Sequence, residues 1–270
     1  MTSQEILAVE AKAKNSSFYA AMKLMPREER EAMFAIYAFC RMVDDIADER
    51  LGTREERFDQ LGAWRRDLEV LYAGGAPVLS GFLKGAVARF GLRKEDFLAV
   101  IDGMEMDVHE DIQAPELAIL DLYCERVASA VGRLSIKVFG MEEAPGFDLA
   151  HHLGRALQLT NILRDLDEDW AIGRLYLPRD FLDGATSLDD PRIDAACRAV
   201  ARLAHEHYAR ADAILAARPK GNLRAPRLMS AVYRAILAAM EAEGWAPPRR
   251  RVRLSKPRLA AIVLRHGLLG

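Results

Sequence analysis

FAIYAFCRMVDDIADER, Phe34 to Arg50, carries apolar residues at Phe34, Ile36, Tyr37, Phe39, Val43 and Ile46, the three- and four-residue spacing of a buried helix rather than the alternation of a strand. QLTNILRDLDEDW, Gln158 to Trp170, repeats the pattern with Leu159, Ile162, Leu163 and Leu166. Outward from these two stretches, Ala, Leu, Glu and Arg dominate and alternating β-branched runs are missing. The periodicity predicts helices over 3–24, 26–50, 54–72, 77–90, 94–109, 115–139, 148–168, 191–217 and 225–243, with 172–190 as the main irregular connection. Gly74-Gly75 and Gly91 suit helix C-termini, and Pro26, Pro77, Pro115 and Pro191 suit first turns. With no internal repeat, the expectation is an all-α, single-domain helical bundle over residues 1–270.

Composition removes several function classes. Lys+Arg (38) and Asp+Glu (40) nearly cancel to a formal charge of -2, so no global basic field exists to hold a nucleic-acid backbone. Cys40, Cys124 and Cys197 lie far apart with no CxxC pair, which argues against a disulfide framework and for a reducing cytoplasm. The N-terminus lacks the layout of a secretory signal, and no apolar run reaches the roughly 18 to 20 residues of a membrane span. The basic stretch 249–258 leads into a tail of arginines with Leu and Ile, which suits either a docked terminal helix or a peripheral contact with the anionic inner face of a membrane.

The two opening stretches share a second feature. Asp44 and Asp48 fall four apart, as do Asp165 and Asp169, with Asn161 one turn earlier. Residues at that spacing share a helix face, so Asn161, Asp165 and Asp169 are expected to form one stripe. Acids four apart are common on solvated helix faces, but two such ladders on apolar helices, more than a hundred residues apart, suit a pair that faces inward. Like charges beside a greasy surface repel strongly and call for a cation, and carboxylates with an amide oxygen suit Mg²⁺ shared with phosphates. Arg41 and Arg164 stand beside the ladders, either to grip phosphate oxygens or as salt-bridge partners within their helices.

Such a set fits an enzyme that removes pyrophosphate from an allylic substrate while shielding a carbocation from water. The aromatic faces of Phe18, Tyr37, Phe39 and Tyr123 could steady the cation from an apolar cavity, although an aromatic of this kind alone is more often core. There is no GxxxxGK[ST], GxGxxG, HExxH or GxSxG motif, and none of the six histidines has Glu three residues before it, as a di-iron bundle would want. His205-Glu206-His207 reads as a solvated face.

YAFCRMVDDIAD (Tyr37 to Asp48), DGMEMDV (Asp102 to Val108), YCERVASAVG (Tyr123 to Gly132) and QLTNILRDLDEDWAIGRLYLPRD (Gln158 to Asp180) resemble, in order, the motifs of the squalene/phytoene synthase family. The resemblance implies an all-α isoprenoid-synthase fold and head-to-head condensation of two prenyl diphosphates. It assigns Mg²⁺, two or three ions bound with the diphosphate, to Asp44, Asp48, Asn161, Asp165 and Asp169. Tyr37, Arg41, Gln158 and Arg164 would contact diphosphate, and Tyr123 would stand near the reacting carbons. Asn15-Ser16-Ser17-Phe18 matches the family's Ser-x-Ser-Phe-like segment in part: Ser17 and Phe18 fit, with Ser17 toward diphosphate, whereas Asn15 departs.

ASAVGRLSIKVFG (Ala128 to Gly140) and RRRVRLSKPRLA (Arg249 to Ala260) look most like bacterial members that make presqualene diphosphate from two farnesyl diphosphates for hopanoid synthesis. That resemblance implies no NADPH, and contact with other enzymes of the same pathway. Phytoene, dehydrosqualene and squalene synthases are the alternatives within the family. A non-catalytic member acting as an assembly partner is a further one.

Overall fold

A computed structural model describes residues 22–48, 52–109 and 112–268. The predicted helix over 3–24 and the Ser17 and Phe18 assignments therefore lie outside the described residues, apart from Met22 to Leu24. Among the described residues the regular structure is helical. It comprises α1 (Arg27–Asp48), α2 (Arg54–Tyr72), α3 (Lys84–Phe90), α4 (Lys94–His109), α5 (Leu117–Cys124), α6 (Ala130–Val138), α7 (Glu143–Arg164), α8 (Leu166–Ala171), α9 (Arg179–Leu182), α10 (Arg192–Ala216), α11 (Arg224–Glu243) and α12 (Lys256–Val263). A π turn over Glu125–Ser129 joins α5 to α6 into one nearly continuous rod.

Local chemistry explains several boundaries. Thr53 caps α2 by accepting from Glu56 N–H, while the Glu56 carboxylate takes the Thr53 N–H in return. Gly91 closes α3 in the left-handed conformation at φ 61°. The expected helix at Pro77 starts later, at Gly81, because the Asp67 carboxylate binds the backbone N–H groups of Val78, Leu79 and Ser80 and holds them in a loop. The tail forms a short helix at Lys256–Val263, one of the two forms its sequence suits.

One contiguous apolar core runs from Met22 to Val252. The central element is α7, apolar on nearly all sides, with Leu149, Leu153, Ala156, Leu157, Leu159, Ile162 and Leu163 buried. It meets the π turn at backbone contact: a Cβ at Gly154 would fall 2.8 Å from Ser129 N and Cα. The segment 172–178 is fixed by a parallel bridge between Gln113 and Leu175, with Leu175 N–H donating to Ile112 O at 2.7 Å and Ala114 N–H to Leu175 O at 2.8 Å. That anchoring delivers Arg174 and Tyr176 into the interior.

Candidate active site

Two adjoining hollows are walled by the helices of the bundle. A polar chamber of about 320 Å³ is lined by Asp44 and Asp48 from α1, Tyr123 from α5, Gln158, Asn161 and Arg164 from α7, then Asp165, Asp169, Arg174 and Tyr176. An apolar cavity of about 230 Å³ adjoins it, walled by Met25, Met33, Ile36, Leu153, Leu157 and Met229 among others. Cys40, Val127, Gln158 and Asn161 line both, so the two hollows share a wall.

The structure thus brings both acidic ladders to one chamber, with two departures from the expected geometry. Asn161, Asp165 and Asp169 do not lie on one unbroken helix: α7 ends at Arg164, Asp165 takes φ −102° and ψ 16°, and α8 begins at Leu166. The chain bends at Asp165 although backbone bonds from Asp165 to Asn161 and from Asp169 to Asp165 persist at 2.9 and 2.8 Å. Phe39 faces away from the hollows, fully buried edge-on against Trp64 and Phe97, so it is core. Tyr37 lines the apolar cavity rather than the acidic chamber.

Each arginine beside a ladder is ion-paired within its own segment. Arg41 reaches Asp44 at 2.5 Å and also holds Asp45, while Arg164 forms a two-bond fork to Asp165 at 2.8 and 2.6 Å. Arg251, from the C-terminal segment, adds a contact to Asp165 at 2.8 Å. Its neighbour Arg249 forks onto Asp167, so much of the basic stretch is docked on α8.

Three groups escaped the sequence reading: Asp107, Arg174 and Tyr176. Asp107 accepts from Tyr176 OH at 2.7 Å on one oxygen and from Tyr123 OH at 3.0 Å on the other, and the two rings stack with centroids 4.9 Å apart. Arg174 binds Asp48 and approaches Asp107 to 3.9 Å. The available signal was an acid on the face that Val100, Met104 and Val108 bury in α4.

Burial, reinforced by the charge of Asp48, pushes Asp44 up to about 7, and burial with the charge of Asp165 does the same to Asp169, up to about 7. Burial raises Asp107 to about 6 against the pull of Arg174. Tyr123 is held well above its ordinary value by burial and by the Asp107 charge, so it stays a neutral phenol. Asn161 Oδ1 is buried with no hydrogen-bond partner, an acceptor left open in the chamber wall. Crowded carboxylates with an orphaned amide oxygen form an all-oxygen donor set, which fits a hard divalent cation such as Mg²⁺.

A family model described as squalene/phytoene synthase matches residues 11–258. The chain is 57% identical to a presqualene diphosphate synthase from Zymomonas mobilis over 94% of the chain and 89% of that relative. It is 51% identical to one from Rhodopseudomonas palustris over 95% of each. Among solved structures, a dehydrosqualene synthase in complex with ligand superposes with TM-score 0.83 at 25% identity, covering 98% of this chain and 95% of that one. A squalene synthase from Alicyclobacillus acidocaldarius gives 0.78 at 28% identity, covering 90% and 95%.

Proposed function

The chain belongs to the squalene/phytoene synthase family, and we propose that it joins two farnesyl diphosphates head to head into presqualene diphosphate and pyrophosphate, in support of squalene and hopanoid synthesis. The observation that carries this reading is the shared wall: an acidic, arginine-edged chamber lies directly beside a greasy hollow. Diphosphate belongs in the first and prenyl chain in the second. Residues 1–270 act as one catalytic unit on this reading, as the continuous core supports.

Asp44, Asp48, Asn161, Asp165 and Asp169 would hold Mg²⁺, two or three ions with the diphosphate. When bound, the metal supplies neutralising charge for the departing pyrophosphate. Arg41 and Arg164, now spent on neighbouring aspartates, turn their forks to phosphate oxygens, with Gln158 beside them. Tyr37 contributes from the cavity side.

The bonds then change as follows. C1 of the first farnesyl group loses pyrophosphate, the C2=C3 double bond of the second attacks C1 to leave a cation at C3, and transfer of a proton from C1 to the released pyrophosphate closes the cyclopropane. The apolar wall excludes water from the allylic cation throughout. Tyr123, neutral and held by Asp107, presents an oriented ring and hydroxyl oxygen to the reacting carbons rather than a phenolate base.

The test is a product assay: purified protein with farnesyl diphosphate and Mg²⁺, without NADPH, read by mass spectrometry. A C30 species that keeps one diphosphate is expected. Its absence, or a reaction that runs only with geranylgeranyl diphosphate, would sink the proposal.

No helix among the described residues is long and apolar enough to cross a membrane. Arg250, Arg253 and Arg258 are nevertheless exposed together with Leu264. Through them the protein makes a peripheral, salt-sensitive contact with anionic lipid, where its substrate partitions. Sedimentation with anionic liposomes at low and high salt checks this, and equal recovery in the supernatant at both would exclude it.

A further inference from the structure

Outside the two hollows, α7 and α10 meet on a face that the proposed reaction does not use. Leu149, Ala150, Leu153, Gly154 and Leu157 of α7 line the apolar cavity. His151 and His152 sit between them in sequence and point the other way. His207 of α10 joins them there, so the His205-Glu206-His207 run is not simply a solvated face: His205 pairs with Glu241, whereas His207 turns in, half-buried, against α7.

The three rings form a tight set. His152 Nδ1 and His207 Nδ1 lie 3.0 Å apart, and one ligand nitrogen from each of the three residues falls within 4.8 Å of the others. A metal about 2.1 Å from each nitrogen puts two ligands about 3.0 Å apart at a right angle and about 3.4 Å apart at the tetrahedral angle. The observed separation matches the right-angle arrangement. His151 Nδ1 accepts from the Arg155 guanidinium at 2.9 Å, so the neutral ring carries its proton on Nε2 and a metal would take Nδ1 in place of that bond.

The surroundings tolerate a cation. Arg155 and Arg210 are positive charges beside the rings, and Arg155 is held by Asp121 at 2.7 Å and by Glu125 at 2.6 Å. Arg133 also binds Glu125, as well as Asp96, so three carboxylates face two guanidiniums in this network. Burial and the adjoining rings and arginine hold His207 down to about 4, in the neutral form that a metal requires. Exposure of His151 gives an entry path from solvent.

We propose that His151, His152 and His207 form a second metal site, distinct from the acidic chamber, which takes a late first-row divalent ion of the nickel, copper or zinc class through imidazole nitrogen. The ion would staple α7 to α10 from outside, on the helix whose far end carries Asn161 and the bend at Asp165.

The experiment uses the full chain without an affinity tag, stripped of metal, with Mg²⁺ in excess and Ni²⁺ as the probe. X-ray absorption on the Ni²⁺-loaded wild-type chain should show the multiple scattering of imidazole ligands. Calorimetry should show that binding weakens by about tenfold or more in His152→Ala and separately in His207→Gln, while Mg²⁺-dependent turnover is unchanged in both. Oxygen-only coordination, equal Ni²⁺ affinity in the wild type and both variants, or no binding to the wild type would overturn the assignment. Circular dichroism checks that each variant is folded, and His152→Gln replaces His152→Ala if the latter is not.

Discussion

Arg174 holds Asp48 across 126 positions of chain, donating from Nη1 to the carboxylate while Nη2 donates to the Ala47 carbonyl at 2.9 Å. The first acidic ladder is therefore fastened by a residue that belongs to neither ladder, delivered by the segment that follows the second. The same guanidinium faces Asp107, which in turn anchors Tyr123 and Tyr176. Asp48, arginine, buried acid and aromatic pair form one connected unit, so the chamber is organised before any substrate enters.

Arg174→Ala should therefore damage both fold and turnover. Breaking a buried pair by removing one partner costs about 3–5 kcal/mol. Asp48 is 39% exposed and can find water, whereas Asp107 at 2% cannot, which places the loss toward the lower end of that range. Arg174→Lys keeps the charge and loses the fork, so it should recover stability better than activity. Thermal melts and Mg²⁺-dependent turnover of both variants provide the check.

The helices were legible because burial imposes its period on apolar residues: the spans predicted at 54–72 and 94–109 coincide with α2 and α4. The acidic ladders were legible because carboxylates on greasy helices are costly without a purpose. The bend at Asp165 was not, since it comes from a single backbone residue whose neighbours keep helical spacing and hydrogen bonds. Arg174 and Tyr176 lie in a non-periodic segment whose inward direction is set by pairing with residues 112–114, some sixty positions away, and no local pattern encodes that. His207 was hidden for a related reason, because its partner lies on another helix.

The raised carboxyls of Asp44 and Asp169 set a pH dependence whose sign is fixed. Both have folded values near 7, above the ordinary Asp value of 3.8, so the folded metal-free chain binds more protons than the unfolded chain between those limits. Their contribution makes the metal-free fold lose stability as pH rises from about 4 to about 7. Cation binding requires the deprotonated pair and removes that penalty. The rise in melting temperature on adding Mg²⁺ should thus be larger at pH 8 than at pH 6, and this difference should shrink in Asp44→Asn/Asp169→Asn.

Gly154→Ala pits two effects against each other. Ala in a helix interior gains about 1 kcal/mol over Gly. The added Cβ would sit 2.8 Å from Ser129 N and Cα, both backbone atoms that cannot rotate away. Overpacking of that kind costs about 1–3 kcal/mol, so the clash wins. The substitution should lower the melting temperature and, by prising α7 from the π turn, separate Gln158 and Asn161 from Tyr123. Mg²⁺-dependent turnover should then fall further than the loss of folded protein accounts for.

Tyr123→Phe separates the ring from the hydroxyl. The phenol donates to Asp107 at 3.0 Å and lies 3.3 Å from Tyr176 OH, so its removal takes one donor from a buried carboxyl that keeps Tyr176. The stability cost should be about 0.5–1.5 kcal/mol, that of one hydrogen bond whose partner retains another. The stacked ring survives, so a cation should still form and pyrophosphate should still leave. What is lost is the oriented oxygen beside the reacting carbons. Pyrophosphate release should therefore outrun C30 product, with farnesol or another water-quenched alcohol making up the difference. Measuring pyrophosphate and product in the same reaction tests this, and an unchanged one-to-one ratio at full rate would show that the hydroxyl only supports the fold.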